Sequence, residues 1–342
     1  MRNEAAVLYG PHDVRLEERP VPVPGPREVL VEVRSVGVCG SDVHYYEHGR
    51  IGSFVVEQPL VLGHESMGVV VGLGSEVTKH HVGERVALEP GVPCGTCREC
   101  RAGRYNLCPY VKFFATPPVD GAFARYVTIH EDFAYALPDE ISDDAGALVE
   151  PVSVGLWACR KARLRGGEHV LVTGAGPIGL LAMQAAFALG AARVTVTDVV
   201  DERLQFARKV GATATVNVRS TPLVEAGVEA DVLIECSGSP TAVADGLRCL
   251  RPAGTAVLVG MGPGETVEIP VAYLQQHEIW LTGTFRYANT YPDAIELIRA
   301  GKIRPEEIIT GHYPLAEAES AMQATRRDPS QVKVMVLPQL EA

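Results

Sequence analysis

The chain has 342 residues, enough for two domains with separate cores, and a formal net charge of −11. This acidity, with no block of Lys or Arg, argues against nucleic acid and anionic membranes as partners. No apolar run approaches the length of a membrane span, and charges flank the short apolar patch of "MRNEAAVLYGPHDVRLEERP", which is unlike a signal peptide. We therefore expect a cytoplasmic protein.

Residues 1–150 are rich in glycine, proline and short runs typical of strands. The Val-rich stretches "EVLVEVRSVGV" and "GVVVGLGSEV" predict strands, and "PVPGPRE" and "HVGERV" predict turns between them. The sequence therefore predicts a first domain that is mainly β, with long loops.

Within that domain, "PCGTCRECRAGRYNLCP" has the spacing C-x2-C-x2-C-x7-C. In a reducing compartment such a cluster indicates a metal site rather than a disulfide framework. Four thiolates without histidine fill every position of a tetrahedral zinc, which predicts a structural site that stabilises the loop. The alternatives are four unpaired thiols or two disulfides. The predicted ligands are Cys94, Cys97, Cys100 and Cys108.

From residue 151 the pattern becomes an alternation of apolar strands and helices, which predicts a parallel sheet covered on both faces. Helices at 291–300 and 315–326 and a last strand, "QVKVMVL", break this rhythm, so the end of the chain is expected to return to the first domain. The predicted boundaries are 1–152 with 286–342 for the first domain, and 153–285 for the second.

The segment "VTGAGPIG" follows a predicted strand and opens a predicted helix, which is the context of a dinucleotide-binding turn. Asp198 ends the next strand, where a carboxylate can accept hydrogen bonds from ribose hydroxyls and would repel a 2′-phosphate. The pattern therefore predicts NAD rather than NADP. The alternative is a plain turn that binds nothing. The turn contains Gly174, Gly176, Pro177, Ile178 and Gly179.

A second set of possible metal ligands comes from three distant segments, "VGVCGSDVHYYEHG", "LVLGHESMG" and "GALVEPVSVG". They supply Cys39, His64, Glu65 and Glu150, and a catalytic zinc keeps three protein ligands and one open position. Each residue also has an ordinary interpretation as a buried cysteine, a core histidine or a solvated carboxylate. Spacing alone does not link the segments.

The segment "GHESMGVVVGLG" resembles the zinc signature of the medium-chain alcohol dehydrogenases. The resemblance covers nearly the whole chain, and "CGSDVHYYEHG", "LVEPVSVG" and "TFRYANTYP" are most similar to the polyol dehydrogenase branch. It implies a Rossmann doubly wound parallel-sheet domain inserted into a mainly β, GroES-like catalytic domain. It also implies one catalytic and one structural zinc, NAD, and often a homotetramer.

The resemblance implies zinc-assisted, reversible oxidation of a sorbitol- or xylitol-like polyol to the ketose, with hydride passing to NAD. By position, Cys39 and His64 match zinc ligands. Glu65 and Glu150 match two carboxylates near the zinc, one binding directly and one through water, and the sequence leaves open which. Alternatives are a zinc dehydrogenase of an amino or aromatic alcohol, or a non-catalytic dinucleotide-binding regulator.

The remaining site residues are also implied by the resemblance. Ser41 and His44 match a proton relay, although His44 has an alternative interpretation as a surface histidine. The substrate-contacting positions are Tyr45, Phe113, Glu150, Arg286 and Tyr287. Arg203 matches a position near the adenosine end of the cofactor. Other cofactor positions follow from predicted strand ends, because cofactors bind beyond the carboxyl ends of such strands. The full set beyond the glycine turn is Asp198, Arg203, Val259, Gly260, Met261, Thr284, Phe285 and Arg286.

Overall fold

The structure, a computed structural model, describes residues 2–262, 264 and 266–340. It divides into two compact units. The first comprises the described residues up to Glu150, Tyr291–Ile295, and those from Ile309 onward. The second comprises Pro151–Thr290 and Glu296–Ile308, within the same described ranges.

The first unit begins with twelve strands and three helices. The strands are β1 (Asn3–Gly10), β2 (Asp13–Arg19), β3 (Glu28–Gly37), β4 (Arg50–Ile51), β5 (Phe54–Val55), β6 (Leu60–Val61), β7 (Glu65–Leu73), β8 (Arg85–Leu88), β9 (Gly91–Val92), β10 (Lys112–Phe113), β11 (Tyr126–His130) and β12 (Ala134–Ala136). The helices are α1 (Gly40–His48), α2 (Arg98–Arg101) and α3 (Asp143–Ala147).

The long helix α4 (Val149–Ala162) leads into the second unit. That unit contains β13 (His169–Thr173), α5 (Pro177–Ala188), β14 (Arg193–Asp198), α6 (Asp201–Lys209), β15 (Ala214–Asn217), β16 (Ala230–Glu235), α7 (Pro240–Arg248), β17 (Leu250–Leu258), α8 (Val271–Gln276) and β18 (Trp280–Gly283). The chain ends with α9 (Tyr291–Arg299), β19 (Ile309–Pro314), α10 (Ala318–Arg327) and β20 (Lys333–Leu337). Among the described residues, every helix falls short of the length and apolarity that a bilayer crossing requires.

Strand β3 is the centre of the first unit. It pairs antiparallel with β7, β11 and β20, in a sheet ordered β12-β8-β7-β3-β20-β19 with β11 also beside β3. Its valines are buried and pack with α10 in one core. In this register Gly37 lies opposite Glu65, so the residues after β3 and before β7 meet at one end of the sheet.

The second unit is a parallel sheet ordered β15-β14-β13-β16-β17-β18. All five residues of β13 are buried, as expected for a strand covered on both faces. The strand order reverses at β13 and β16, and such a sheet binds ligands beyond the carboxyl ends of its strands at that point. The predicted combination of a Rossmann sheet with a mainly β unit is confirmed.

The observed division places residues 151–152, 286–290 and 296–308 in the second unit, whereas the predicted boundaries assign them to the first domain. One contact that joins residues 296–308 to the second unit is a hydrogen bond from the Arg304 backbone N–H to the Gln184 side chain on α5, at 2.7 Å. The last predicted strand is β20, which starts at Lys333 rather than at Gln331. Its parallel neighbour β19 was not predicted.

Candidate active site

Cys39, His64 and Glu65 come together at the end of the β3–β7 pair. Cys39 precedes α1, His64 immediately precedes β7, and Glu65 is its first residue. One ligand atom from each lies within 4.8 Å of the others. His64 is 7% exposed and Glu65 is 1% exposed. The antiparallel register thus unites two segments that sequence spacing could not link.

Asp42 organises this cluster, although sequence reasoning did not select it. One carboxylate oxygen accepts the Cys39 N–H at 2.9 Å, and the other accepts the Gly63 N–H at 2.9 Å and lies 3.6 Å from Nδ1 of His64. Burial opposes ionisation, but His64 and these backbone N–H groups lower the pKa of Asp42. A carboxylate on one ring nitrogen orients a histidine to use the other as a metal ligand.

The three donors fit a catalytic zinc. Sulfur, nitrogen and oxygen are the donor types of such sites, and three protein ligands leave a fourth position for substrate. Within the described chain, Oε2 of Glu65 is buried and forms an ion pair with the Lys333 ammonium, so this carboxylate is held at the cluster. Burial works against the charged ring, yet Asp42 and Cys39 raise the pKa of His64 well above its ordinary range.

Glu150 is 5% exposed and lies in the first turn of α4. The donor set found among the described residues contains Glu65 and does not include Glu150. The sequence left open whether Glu65 or Glu150 binds the metal directly, and the geometry of this structure favours Glu65.

Several predicted neighbours of the metal lie on the same unit. The Phe113 ring is centred 5.7 Å from that of His64, and Tyr45 is buried on α1. Ser41 lies in the first turn of α1, and the exposed His44 follows it. The His44 ring packs edge-on against His48 at 4.6 Å, and burial and His48 together lower the pKa of His44. His48 was not selected from the sequence.

The four-cysteine loop forms a second, separate cluster. Its sulfur atoms lie within 4.8 Å of one another, and all four cysteines are free thiols. Backbone N–H groups of Cys94 and Tyr110 each point at Sγ of Cys108 at 3.4 Å. Backbone N–H groups of Thr96 and Cys97 lower the pKa of Cys94 to about 6. The predicted structural zinc site fits this geometry, and disulfide pairing is not present.

A buried carboxylate connects the cysteine loop to the sheet. Glu89 follows β8 and accepts hydrogen bonds from the Tyr105 hydroxyl of the loop and the Tyr135 hydroxyl of β12, both at 2.8 Å. Burial raises the pKa of Glu89 to about 7. Sequence reasoning missed this residue because its partners lie far along the chain.

In the second unit, the glycine turn joins β13 to α5. Gly174 has φ +92°, and a Cβ on Gly179 would lie 1.9 Å from the Gly174 carbonyl oxygen, so both positions require glycine. Gly176 is the N-cap of α5, followed by Pro177 and Ile178. Asp198 ends β14 beside this turn, and its carboxylate accepts the Ala175 N–H at 2.8 Å.

Glu235 holds the neighbouring strand ends in place, and it too was missed. Its buried carboxylate accepts hydrogen bonds from the Ser237 N–H at 2.8 Å and the Gly238 N–H at 3.0 Å, and its backbone oxygen accepts the Gly260 N–H at 2.9 Å. A Cβ on Gly174 would lie 3.1 Å from the Ser237 nitrogen, which shows how closely these turns approach. In the sequence, Glu235 stands directly before "CSGSP" at the end of a predicted strand, and this position could have indicated its role.

The other predicted cofactor and substrate positions follow later strands of this unit. Val259, Gly260 and the 72% exposed Met261 follow β17, and Thr284 donates its N–H to the Leu258 carbonyl oxygen at 2.9 Å. Phe285 and Arg286 follow β18. Arg286 has a left-handed φ of +54° and its guanidinium lies 4.8 Å from the Phe285 ring centre. Tyr287 is buried, and Arg203 lies in α6.

Comparisons with known proteins agree with this arrangement. Residues 25–139 match the alcohol dehydrogenase GroES-like domain, and residues 177–300 match the zinc-binding dehydrogenase family. A sorbitol dehydrogenase of Bacillus subtilis is 42% identical over 98% of this chain and 97% of its own. A probable D-xylulose reductase A of Emericella nidulans is 45% identical over 94% and 93%.

Among solved structures, L-idonate 5-dehydrogenase of Escherichia coli superposes with a TM-score of 0.92 at 32% identity, covering 98% of each chain. These matches span both units and agree with the two metal clusters and the glycine turn. The chain therefore belongs to the zinc-dependent medium-chain alcohol dehydrogenase family, in the branch that contains the sorbitol dehydrogenases.

Proposed function

We propose that this protein catalyses the reversible, NAD-dependent oxidation of a sorbitol- or xylitol-like polyol to the corresponding ketose. The observation that carries the proposal is the buried set of Cys39, His64 and Glu65, which offers three donors and leaves a coordination position for a substrate oxygen. The substrate class comes from the relatives, which are named sorbitol dehydrogenase and D-xylulose reductase at 42% and 45% identity.

When bound, zinc acts as a Lewis acid on the substrate oxygen, and NAD accepts the hydride. The protein supplies orientation: Asp42 fixes the His64 ring through Nδ1, and Phe113 packs beside that ring. We propose that Ser41 and His44 carry the released proton to solvent. Burial and His48 lower the pKa of His44, which favours the neutral imidazole that can accept a proton.

Substrate selection is proposed to rest on hydroxyl recognition. Tyr45, Glu150, Arg286 and Tyr287 all carry groups that can hydrogen-bond a polyol. The Arg286 guanidinium can donate to two hydroxyl oxygens at once, and its left-handed backbone marks it as a constrained position. A site that hydrogen-bonds several hydroxyls rejects alcohols that lack them.

The cofactor is proposed to be NAD rather than NADP. Asp198 ends β14 next to the glycine turn, and its carboxylate is fixed by the N–H groups of Ala175 at 2.8 Å and Val200 at 3.0 Å. A fixed carboxylate there suits ribose hydroxyls and repels a 2′-phosphate. Asp198→Ala should narrow the preference for NAD, measured as the ratio of kcat/KM values for the two cofactors.

We further propose a homotetramer that works in the cytoplasm. Supporting the assembly, β18 ends the strand order of its sheet and exposes Trp280 at 62% and Leu281 at 37%. An exposed apolar edge strand is suited to pairing with a second copy. Sedimentation of the purified protein measures the state, and Trp280→Lys should shift it toward smaller species.

The direct test of the proposed function is a panel of initial rates with sorbitol, xylitol, ribitol, arabitol, galactitol, myo-inositol and simple alcohols at fixed NAD. The proposal predicts that at least one five- or six-carbon polyol has a kcat/KM far above that of 2-propanol. Equal or higher rates with an amino or aromatic secondary alcohol would contradict the assignment of the substrate class. If the zinc-loaded protein turned over none of these alcohols, the proposal that it is a dehydrogenase would be contradicted.

A further inference from the structure

Lys333 is a buried cation next to the catalytic donor set. It is the first residue of β20 and its side chain is 1% exposed. Its Nζ donates a hydrogen bond to the Val38 carbonyl oxygen at 2.7 Å and forms an ion pair with Oε2 of Glu65, whose side chain is also 1% exposed. A buried ammonium needs such partners, because a lone charge away from water is strongly disfavoured.

This contact joins the two segments that carry the metal donors. Val38 immediately precedes Cys39, and Glu65 immediately follows His64. The pair occupies the space above Gly37, where a Cβ would lie 2.1 Å from Oε2 of Glu65 and 2.9 Å from Cε of Lys333. The pairing of β20 with β3, with Met335 opposite Gly37, holds the lysine backbone in position. The pairing of β20 with β3 thus places the Lys333 ammonium beside the Glu65 carboxylate.

The positive charge of Lys333 affects how strongly the site binds zinc. The Cys39 thiolate and the carboxylates of Asp42 and Glu65 carry three negative charges, and zinc with the Lys333 ammonium carries three positive ones. The formal charges therefore cancel when the metal is bound. Zinc and the Lys333 ammonium are two cations that bind the same Glu65 carboxylate. Each therefore weakens the electrostatic attraction of the carboxylate for the other.

We propose that Lys333 is a positioning residue that competes with the catalytic zinc for Glu65. By holding Oε2, it keeps Glu65 a weak ligand and leaves a coordination position available to the substrate oxygen. The inference rests on the proposed function, since it requires zinc at the Cys39, His64 and Glu65 set.

The test measures zinc release from the intact protein to a chromogenic chelator. The release phase that is missing in Cys39→Ser belongs to the catalytic site. In Lys333→Met this phase should slow about tenfold, because the competing cation is gone. Lys333→Arg keeps the charge and should release zinc at the wild-type rate, and so should Lys302→Met, which removes an exposed lysine of the second unit.

A second arm repeats the comparison in a Glu65→Gln background, where Lys333→Met should have a much smaller effect because the shared carboxylate is absent. Retention of the other zinc phase and an unchanged far-ultraviolet circular dichroism spectrum report a folded chain. If Lys333→Met does not fold, Lys333→Gln replaces it, since its amide can still donate to the Val38 carbonyl.

Release of catalytic zinc at the wild-type rate, or faster, from the folded lysine variant would overturn the inference and leave the proposed function intact. A wild-type protein without any Cys39-dependent zinc phase would overturn both. Equal slowing in the presence and absence of the Glu65 carboxylate would also overturn it, because the effect would then not pass through Glu65.

Discussion

The two metal-binding clusters of the first unit are built in opposite ways. The cysteine loop takes four identical donors from residues 94–108, and three of the four cysteines are partly exposed. The other cluster takes three different donors from two distant segments that the β3–β7 pair brings together, and two of the three are buried. The first arrangement fills a metal's coordination shell and the second leaves it open.

The difference also extends to the residues around each cluster. The cysteine loop supplies its own backbone N–H groups to its sulfur atoms and touches the sheet through Tyr105 and Glu89. The Cys39 cluster depends on Asp42 and Lys333, which belong to different parts of the chain. In this protein the closed cysteine site is built mostly from one loop, whereas the Cys39 cluster is held by residues from distant segments of the first unit.

Loss of a ligand from the Cys39, His64 and Glu65 cluster should have the largest effect on turnover. Cys39→Ser should lower kcat/KM by about a thousandfold or more, because a Lewis acid contributes several kcal/mol to the transition state. The far-ultraviolet circular dichroism spectrum should be retained, because the backbone pairing of β3 with β7 does not include Cys39. NADH formation and zinc content per chain are the measurements. Near-normal turnover by a metal-free variant would contradict the assignment.

Asp42→Asn should have the next largest effect. The amide keeps the size of the side chain but loses the charge that orients His64, so we expect a ten- to hundredfold loss in zinc affinity or activity. Chelator competition and kcat/KM are the readouts. The matched control is Asp120→Asn, a substitution on the same unit at a residue outside the cluster. If Asp42→Asn behaves like this control, Asp42 does not position the ligand.

Cys97→Ser should change turnover by less than about twofold per folded chain, yet remove one zinc and lower the free energy of unfolding by about 2 kcal/mol or more. Denaturant titration of the wild type and the variant measures this loss. A large fall in kcat with unchanged stability would reverse the roles assigned to the two clusters.

Glu89→Gln should leave turnover unchanged and alter only how stability depends on pH. Because folding raises the pKa of Glu89 from 4.5 to about 7, its contribution is complete below pH 4.5 and is lost as the pH rises through 7. Gln mimics the protonated acid toward Tyr105 and Tyr135, so at pH 8 the variant should be more stable by about 1–3 kcal/mol. At pH 4.5 the difference should vanish.

The control for this prediction is Glu99→Gln, which removes a partly exposed carboxylate that pairs with Arg104 in the same loop. It should not flatten the pH dependence between pH 4.5 and 8. If Glu89→Gln and Glu99→Gln give the same stability profile as the wild type, the buried carboxylate does not link the loop to the sheet in the way described.

The same contrast explains what could be predicted from the sequence. The cysteine loop, the glycine turn and the strand that ends in Asp198 are local patterns, and the structure contains each of them. Cys39, His64 and Glu65 were connected only by family resemblance, because their proximity arises from strand register. Asp42, Glu89 and Lys333 were missed, because what marks them is burial and contacts with residues distant in sequence, which a single sequence does not display. Glu235 was missed although its partners are local, because its burial is not visible in the sequence.

The most direct measurement replaces zinc with Co²⁺ and records the visible spectrum of each site separately. The Cys97→Ser variant retains only the Cys39 site, and the Cys39→Ser variant retains only the four-cysteine site. A closed tetrahedral site has no position for substrate, whereas an open site does. Adding a polyol with NADH should therefore shift the cobalt bands in Cys97→Ser and leave those in Cys39→Ser unchanged. A shift in Cys39→Ser with an unchanged spectrum in Cys97→Ser would contradict the division of roles between the two clusters.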